Sequence, residues 1–149
     1  MEPTAEKRFH MKEVQPDAYR AMRELSKYVA ATGLPQRQQE LIKIRASQIN
    51  GCAYCINMHA KEARQQGEAE QRIYLLSAWK DAPIYTKEER LMLEMTEEIT
   101  LIHQQGLSAG VYARAIALFG EEKTAQIIMT IVTINAWNRI MVSLQTEPE

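Results

Sequence analysis

Apolar residues recur along this chain at intervals of three and four, the period of a helix with one buried face. Tyr19, Met22, Leu25, Tyr28 and Val29 mark the first such stretch, opened by Pro16-Asp17 and closed by Gly33. After Pro35, Leu41, Ile42, Ile44, Arg45 and Ile49 suit a second helix over Gln36–Gln48, ended by Asn50-Gly51. A third helix is predicted from about Cys52 to Gln66, with Gly67 in the position just past a helix end. A short fourth, about Glu68 to Trp79, carries Ile73, Leu75, Leu76 and Trp79 and is broken by Asp81-Ala82-Pro83. Thr86 followed by Glu89 is a capping-box signature that launches a fifth helix to about His103. Ser108 is the expected N-cap of a sixth helix ending at Gly120. The last, Glu121 to about Leu144, starts with acidic residues at its positive end. It carries Ile127, Ile128, Ile131, Ile134, Ile140, Met141 and Leu144.

No segment sustains the period-two alternation of a strand. The pattern predicts an all-α chain of six or seven helices, one domain over residues 1–149, with a polar arm at 1–14 and a fraying tail at 145–149.

Composition changes this picture little. With 149 residues, 46% of them hydrophobic, the chain can bury a core without a metal or disulfide staple. A net charge of -1 gives no electrostatic case for nucleic acid or an anionic membrane. No apolar run approaches a membrane span, and the first fourteen residues lack the apolar core and cleavage site of a secretory signal. The expected location is the cytoplasm, where a C-x-x-C pair points to catalysis or metal binding more than to a staple.

That pair, Cys52 and Cys55, lies in Ile49–His59 and holds both cysteines of the protein. If the helix starts at Cys52, then Cys52, Cys55 and His59 share one face, with His59 one turn beyond Cys55. Free N–H groups and the dipole at a helix start favour a thiolate, the nucleophile of peroxide reduction and disulfide exchange. A second cysteine one turn away can trap the oxidised product. Two buried cysteines acting as small hydrophobes are the bland alternative. Structural zinc needs four ligands around the ion, whereas His10 and His103 are distant and three groups on one helix face cannot surround it. Haem attachment needs His directly after the second cysteine, where this chain has Ile56.

At these residues the chain resembles the carboxymuconolactone decarboxylase superfamily, in its alkylhydroperoxidase AhpD-like branch. The family pattern is a glutamate, eleven intervening residues, C-x-x-C, three residues and a histidine; Glu40, Cys52, Cys55 and His59 meet it. The string from Lys43 to Glu68, then Ala78–Pro83 and Ile134–Arg139, resemble the short peroxidase-related members. The resemblance implies an AhpD-like helical bundle and a peroxidase with no cofactor or metal. It implies that Cys55 is the attacking thiolate, that Cys52 resolves the intermediate as a Cys52–Cys55 disulfide, and that Glu40 and His59 form a proton relay. It further implies a hydroperoxide substrate, a dithiol reductant of lipoyl or thioredoxin type, and a homo-oligomer (dimer, trimer or hexamer). One departure stands out: AhpD carries a histidine between its cysteines, and here Tyr54, a phenol with a pKa of about 10, takes that place.

Two other functions compete. A decarboxylase or lactone-processing enzyme would not depend on the dithiol, and a redox sensor or disulfide-exchange protein would keep a reactive pair without peroxide turnover. Of the remaining residues, His10 and His103 are expected in solvent, and Trp79, Trp137 and Tyr74 in the core or a subunit interface. Asn135, Asn138 and Arg139, in an otherwise apolar helix, are expected to be structural. Lys43 and Arg45 are either surface charges or contributors to the potential at the cysteines.

Overall fold

Helix α3 (Gln36–Asn50) is the central element, and its side chains explain why. Leu41, Ile42, Ile44 and Ala46 are all buried, together with the polar Gln39, Glu40 and Ser47. A helix covered on every side needs neighbours on every side. Those neighbours are α4 (Ala53–Gln65), α6 (Lys87–Thr100) and α7 (Ala109–Ser143). The amphipathic α2 (Pro16–Ala30) lies on α7, and the single-turn α1 (Met11–Val14) packs on α2. Between α4 and α6 the chain makes a short α5 (Glu70–Tyr74) and a 3-10 turn at Leu76–Ala78.

The computed structural model describes residues 6–149, and among these there is no strand. None of the described helices is long and apolar enough to cross a membrane. Ile42, Met92, Met95, Ile127 and Ile131 form one core between α3, α6 and α7. Leu41, Ile44, Leu76, Trp79 and Leu93 form a second beneath the α5 segment. A third and smaller cluster holds Ala46, Cys52, Cys55 and Ile134.

The predicted helices are present, with boundary changes that have local causes. The fourth helix starts at Glu70 rather than Glu68, because Glu68 is fully buried and acts as an anchor, and it gives way after Tyr74 to the 3-10 turn at Leu76–Ala78. Glu68 Oε1 accepts bonds from Arg72 Nε (2.8 Å), Arg37 Nη2 (3.2 Å) and the Ala69 amide (2.9 Å). The predicted polar arm contains the α1 turn, and Arg8 Nη1 donates to Ser143 O at 2.7 Å; its first five residues lie outside the described ones. The tail leaves the helix as expected but returns to α4, where Asn57 Nδ2 and Lys61 Nζ donate to Glu149 O. Both predicted N-caps form, Thr86 Oγ1 accepting from Glu89 N and Ser108 Oγ from Val111 N. The Glu89 carboxylate pairs with Arg72 instead of completing the capping box.

The expected break between the sixth and seventh helices falls inside α7. Gly120 has φ 77° and ψ 171°, a conformation essentially reserved for glycine. A Cβ there would meet nothing within 4 Å, so Gly120→Ala tests the backbone alone. The variant should lose about 1–3 kcal/mol of stability, read as a lower urea midpoint with an unchanged slope.

Candidate active site

Cys52 caps α4 rather than beginning it. The chain leaves α3 through Gly51, whose φ of 66° is left-handed, and Cys52 N donates back to Ser47 O at 2.9 Å. Cys52 is extended (φ -90°, ψ 94°), and its Sγ accepts the Cys55 N–H at 3.4 Å. A sulfur thus occupies the place usually taken by a Ser, Thr, Asp or Asn oxygen. There the helix dipole and the free N–H favour negative charge.

The two thiols are held at opposite ends of the scale. Hydrogen bonding from the Cys55 side chain lowers the Cys52 pKa to about 6, overcoming burial, with help from the Cys55 amide, Asn138 and His59. The same contact, acting with burial, pushes the Cys55 thiol well up. The pair therefore shares one proton, held by Cys55, and the anion rests on Cys52.

Access divides the pair differently. A cavity of about 540 Å³ is lined by Cys55, His59, Glu40, Lys43 and Glu62, and Cys52 is not part of its wall. Met58, Ile134, Trp137 and Met141 give it an apolar side, and Tyr19, Arg23 and Lys27 of α2 also line it, with Tyr19 packed edge-on against Trp137 at 5.4 Å between ring centroids. Tyr54 also lines it, with burial raising its pKa, so its phenol stays protonated at neutral pH.

Glu40 and His59 meet across the α3–α4 contact. The His59 Nδ1 lies 2.8 Å from Glu40 Oε2, and Lys43 Nζ donates to Glu40 Oε1 at 3.3 Å. Glu62 Oε2 stands 3.2 Å from the same His59 nitrogen. Burial disfavours the imidazolium, but hydrogen bonds to Glu40 and Glu62 outweigh it and raise the His59 pKa. Ligand atoms of Glu40, His59 and Glu62 lie within 4.8 Å of one another, a spacing that would fit a metal ion. Lys43 already places a cation on Glu40, and the separations from His59 are hydrogen-bond lengths, so the cluster reads as a proton-sharing one.

Residues 16–98 match the carboxymuconolactone decarboxylase family. The chain belongs to that family. Within it, the chain sits in the AhpD-like branch. It is 41% identical over 132 residues to the uncharacterised protein YdfG of Bacillus subtilis (strain 168), covering 89% of this chain and 90% of that one. A protein of unknown function from Agrobacterium tumefaciens, a proposed antioxidant-defence protein AhpD, shares 38% identity and superposes with a TM-score of 0.93 over 97% of this chain and 99% of that one. The AhpD core of an uncharacterised peroxidase-related protein from Ralstonia eutropha JMP134 shares only 18% identity. It has the same AhpD-like fold, with a TM-score of 0.81 over 93% of this chain and 74% of that one.

All four residues read from the sequence pattern thus lie together in this family member. Three further residues join them. Lys43 belongs to the site, whereas Arg45 pairs with Glu97 in the scaffold. Glu62 was not singled out in the sequence, although its place three residues after His59 puts it on the same helix face. Asn138 approaches from α7: it is buried, Nδ2 donates to Ser47 Oγ at 2.9 Å, and Oδ1 accepts from Asn50 Nδ2 at 2.9 Å. Asn135 joins Asn50 and Thr100 in the same network, and Arg139 is exposed. His10, His103 and Tyr74 are exposed, whereas Trp79 is buried and donates to Glu97.

Two outcomes follow for the carboxymuconolactone decarboxylase fold around this site. Asn138→Ala should cost about 1–3 kcal/mol by leaving buried partners short of bonds. It should also raise the Cys52 pKa from its value of about 6, measured by alkylation rate against pH. The second outcome concerns His59. Its raised pKa makes its stabilising contribution complete below the ordinary value of 6.5 and lost as pH rises through the elevated folded value. The stability difference between wild type and His59→Gln should therefore shrink with rising pH in urea titrations from about pH 6 to about pH 9.

Proposed function

We propose that this chain is a thiol-dependent peroxidase, reducing an organic hydroperoxide to an alcohol while Cys52 and Cys55 pass to a disulfide. One observation carries the reading. Cys55 lines the cavity beside the His59–Glu40 pair, with a second sulfur at the cap of the same helix. Membership of the family and the likeness to a proposed AhpD at 38% identity support a peroxidase-related role. The cavity is far larger than hydrogen peroxide requires, and its apolar side of Met58, Ile134, Trp137 and Met141 suits an organic substituent.

The reaction starts with the shared proton. Its transfer from Cys55 to Cys52 leaves a thiolate facing the cavity. That sulfur attacks the terminal oxygen of the hydroperoxide; the S–O bond forms, the O–O bond breaks, and the departing alkoxide takes a proton from the His59 imidazolium. Cys55 is now a sulfenic acid. The Cys52 sulfur attacks it, the S–S bond forms, and the hydroxyl leaves with the Cys52 proton as water. A dithiol of lipoyl or thioredoxin type reduces the disulfide, releasing one proton to solvent as the monoanionic pair re-forms, and His59 recovers one proton to complete the balance. Glu40, fixed by Lys43, orients the imidazole throughout. The proposal includes self-association, supported by the exposed apolar side chains Met58 on α4 and Val132 and Val142 on α7.

Cys55→Ser should abolish peroxide turnover with a dithiol reductant. Cys52→Ser should stop after one equivalent of peroxide, leaving a sulfenic acid that dimedone traps and mass spectrometry counts. Undiminished turnover in Cys55→Ser would overturn the assignment.

A further inference from the structure

His59 Nδ1 faces two carboxylates at once, Glu40 Oε2 at 2.8 Å and Glu62 Oε2 at 3.2 Å. A single ring N–H can be fully directed at only one of them. The two are not equivalent. Glu40 has 1% of its side chain exposed and is held by Lys43 Nζ, whereas Glu62 has 43% exposed and lies on the solvent side of the ring. Glu62 is also three residues from His59 on α4, so the ring can change partners by a small rotation without any backbone movement.

We infer that Glu62 is the proton-exchange carboxylate of this site, the group through which His59 trades protons with bulk solvent between turnovers. The inference rests on the peroxidase reading above. In each cycle His59 gives one proton to the alkoxide when the O–O bond breaks and must regain one when the dithiol re-forms the resting pair. Glu40 cannot supply it from outside, because it is enclosed. Glu62 reaches water and the Nδ1 position together, so a proton taken up by its carboxylate passes to the imidazole, and the carboxylate is left free to accept the next. Glu62 acts through His59 and is therefore a positioning residue in the relay.

The other charged and titratable groups around the ring do not offer this route. From α3 come Glu40 and Lys43, both largely buried. From α4 and its cap come Cys55, Cys52 and Tyr54, engaged with one another or protonated. From α2, Tyr19, Arg23 and Lys27 line the cavity, and the α7 part of the wall (Thr133, Ile134, Trp137, Met141) has no ionisable group. Among the described residues of this cavity, Glu62 is the carboxylate with solvent access at the imidazole.

The test uses the full chain with Glu62→Gln, which keeps the size of the side chain and, at a half-exposed position, leaves the fold intact. The His59 imidazole is titrated by NMR, and turnover of tert-butyl hydroperoxide with dithiothreitol is followed against pH. The His59 pKa should fall in Glu62→Gln, the basic limb of the pH profile should move to lower pH with it, and kcat should drop about tenfold at low buffer concentration. Added formate or imidazole should restore kcat in proportion to its concentration, a response that a purely structural role would not give. An unchanged His59 titration, or a loss of kcat that no buffer restores, would overturn the inference. Absence of peroxide turnover in the wild-type chain would overturn the peroxidase reading instead, and the His59 titration would still decide whether Glu62 governs the imidazole.

Discussion

A carboxylate taken out of water is costly, by several kcal/mol, unless both of its oxygens find charged or hydrogen-bonding partners. Glu40 meets that condition with Lys43 on one oxygen and His59 on the other, and the arrangement of the molecule follows from it. Lys43 comes with the same helix at no cost in topology. His59 is nineteen residues away, so the bond forms only if α4 returns along α3. The left-handed residue at Gly51 makes that return, and the cap at Cys52 is a consequence of the same turn. The Glu40–His59 pair and the thiol pair are therefore two products of one backbone event. A substitution that shifted the α3–α4 angle would disturb both together.

The two sulfurs divide charge from access. Cys52 holds the anion chiefly because the Cys55 side chain donates to it, with the capped Cys55 amide adding to the effect, and it is not part of the cavity wall. Cys55 has access to the cavity but holds the proton. In the proposed cycle a hydroperoxide meets a neutral thiol until the proton crosses to the neighbouring sulfur. Reactivity in that cycle is conditional on this small transfer, and nothing larger than a hydrogen needs to move. In the proposed cycle Cys55 attacks and Cys52 resolves, an order supported by Cys55 being the sulfur that borders the cavity. The resting charge, taken alone, would have suggested the reverse order.

Much of this was legible in the residues. The helical period located all the long elements, and the Thr86 and Ser108 caps were read from local chemistry that acts within four residues. Cys52, Cys55 and His59 were legible from helix spacing, whereas Glu40, on the preceding helix, was legible only through the family pattern. What was not legible depends on contacts distant in sequence. Glu68 sits ahead of α5 instead of opening it because Arg37 of α3 reaches its buried carboxylate from far along the chain, alongside the nearby Arg72. The split between Lys43 and Arg45 depends on which face of α3 meets α4 and which meets α6 and Glu97. Glu62 had a local signal, three residues after His59, but an exposed glutamate at that spacing is common enough to pass unremarked.

Asn138 shows why a polar residue is retained in the apolar last helix. Ile134, one turn earlier, packs directly on the cysteine pair, and Trp137 forms part of the cavity wall while donating to Ser26 of α2. The break at Gly120 separates this stretch from the first part of α7, whose Val111 and Ala115 join Ile127 and Ile131 in the main core. A lysine in place of Asn138 would hold the thiolate more strongly, and that strength would be a fault. A fixed positive charge would pin the anion on one sulfur, whereas catalysis in the proposed cycle needs the proton to cross between them. An amide is neutral, and it lowers the pKa of both sulfurs. Bound to Ser47 and Asn50, it is also held still without being ionised. The polar residue thus stabilises a thiolate on either sulfur without choosing which sulfur carries it.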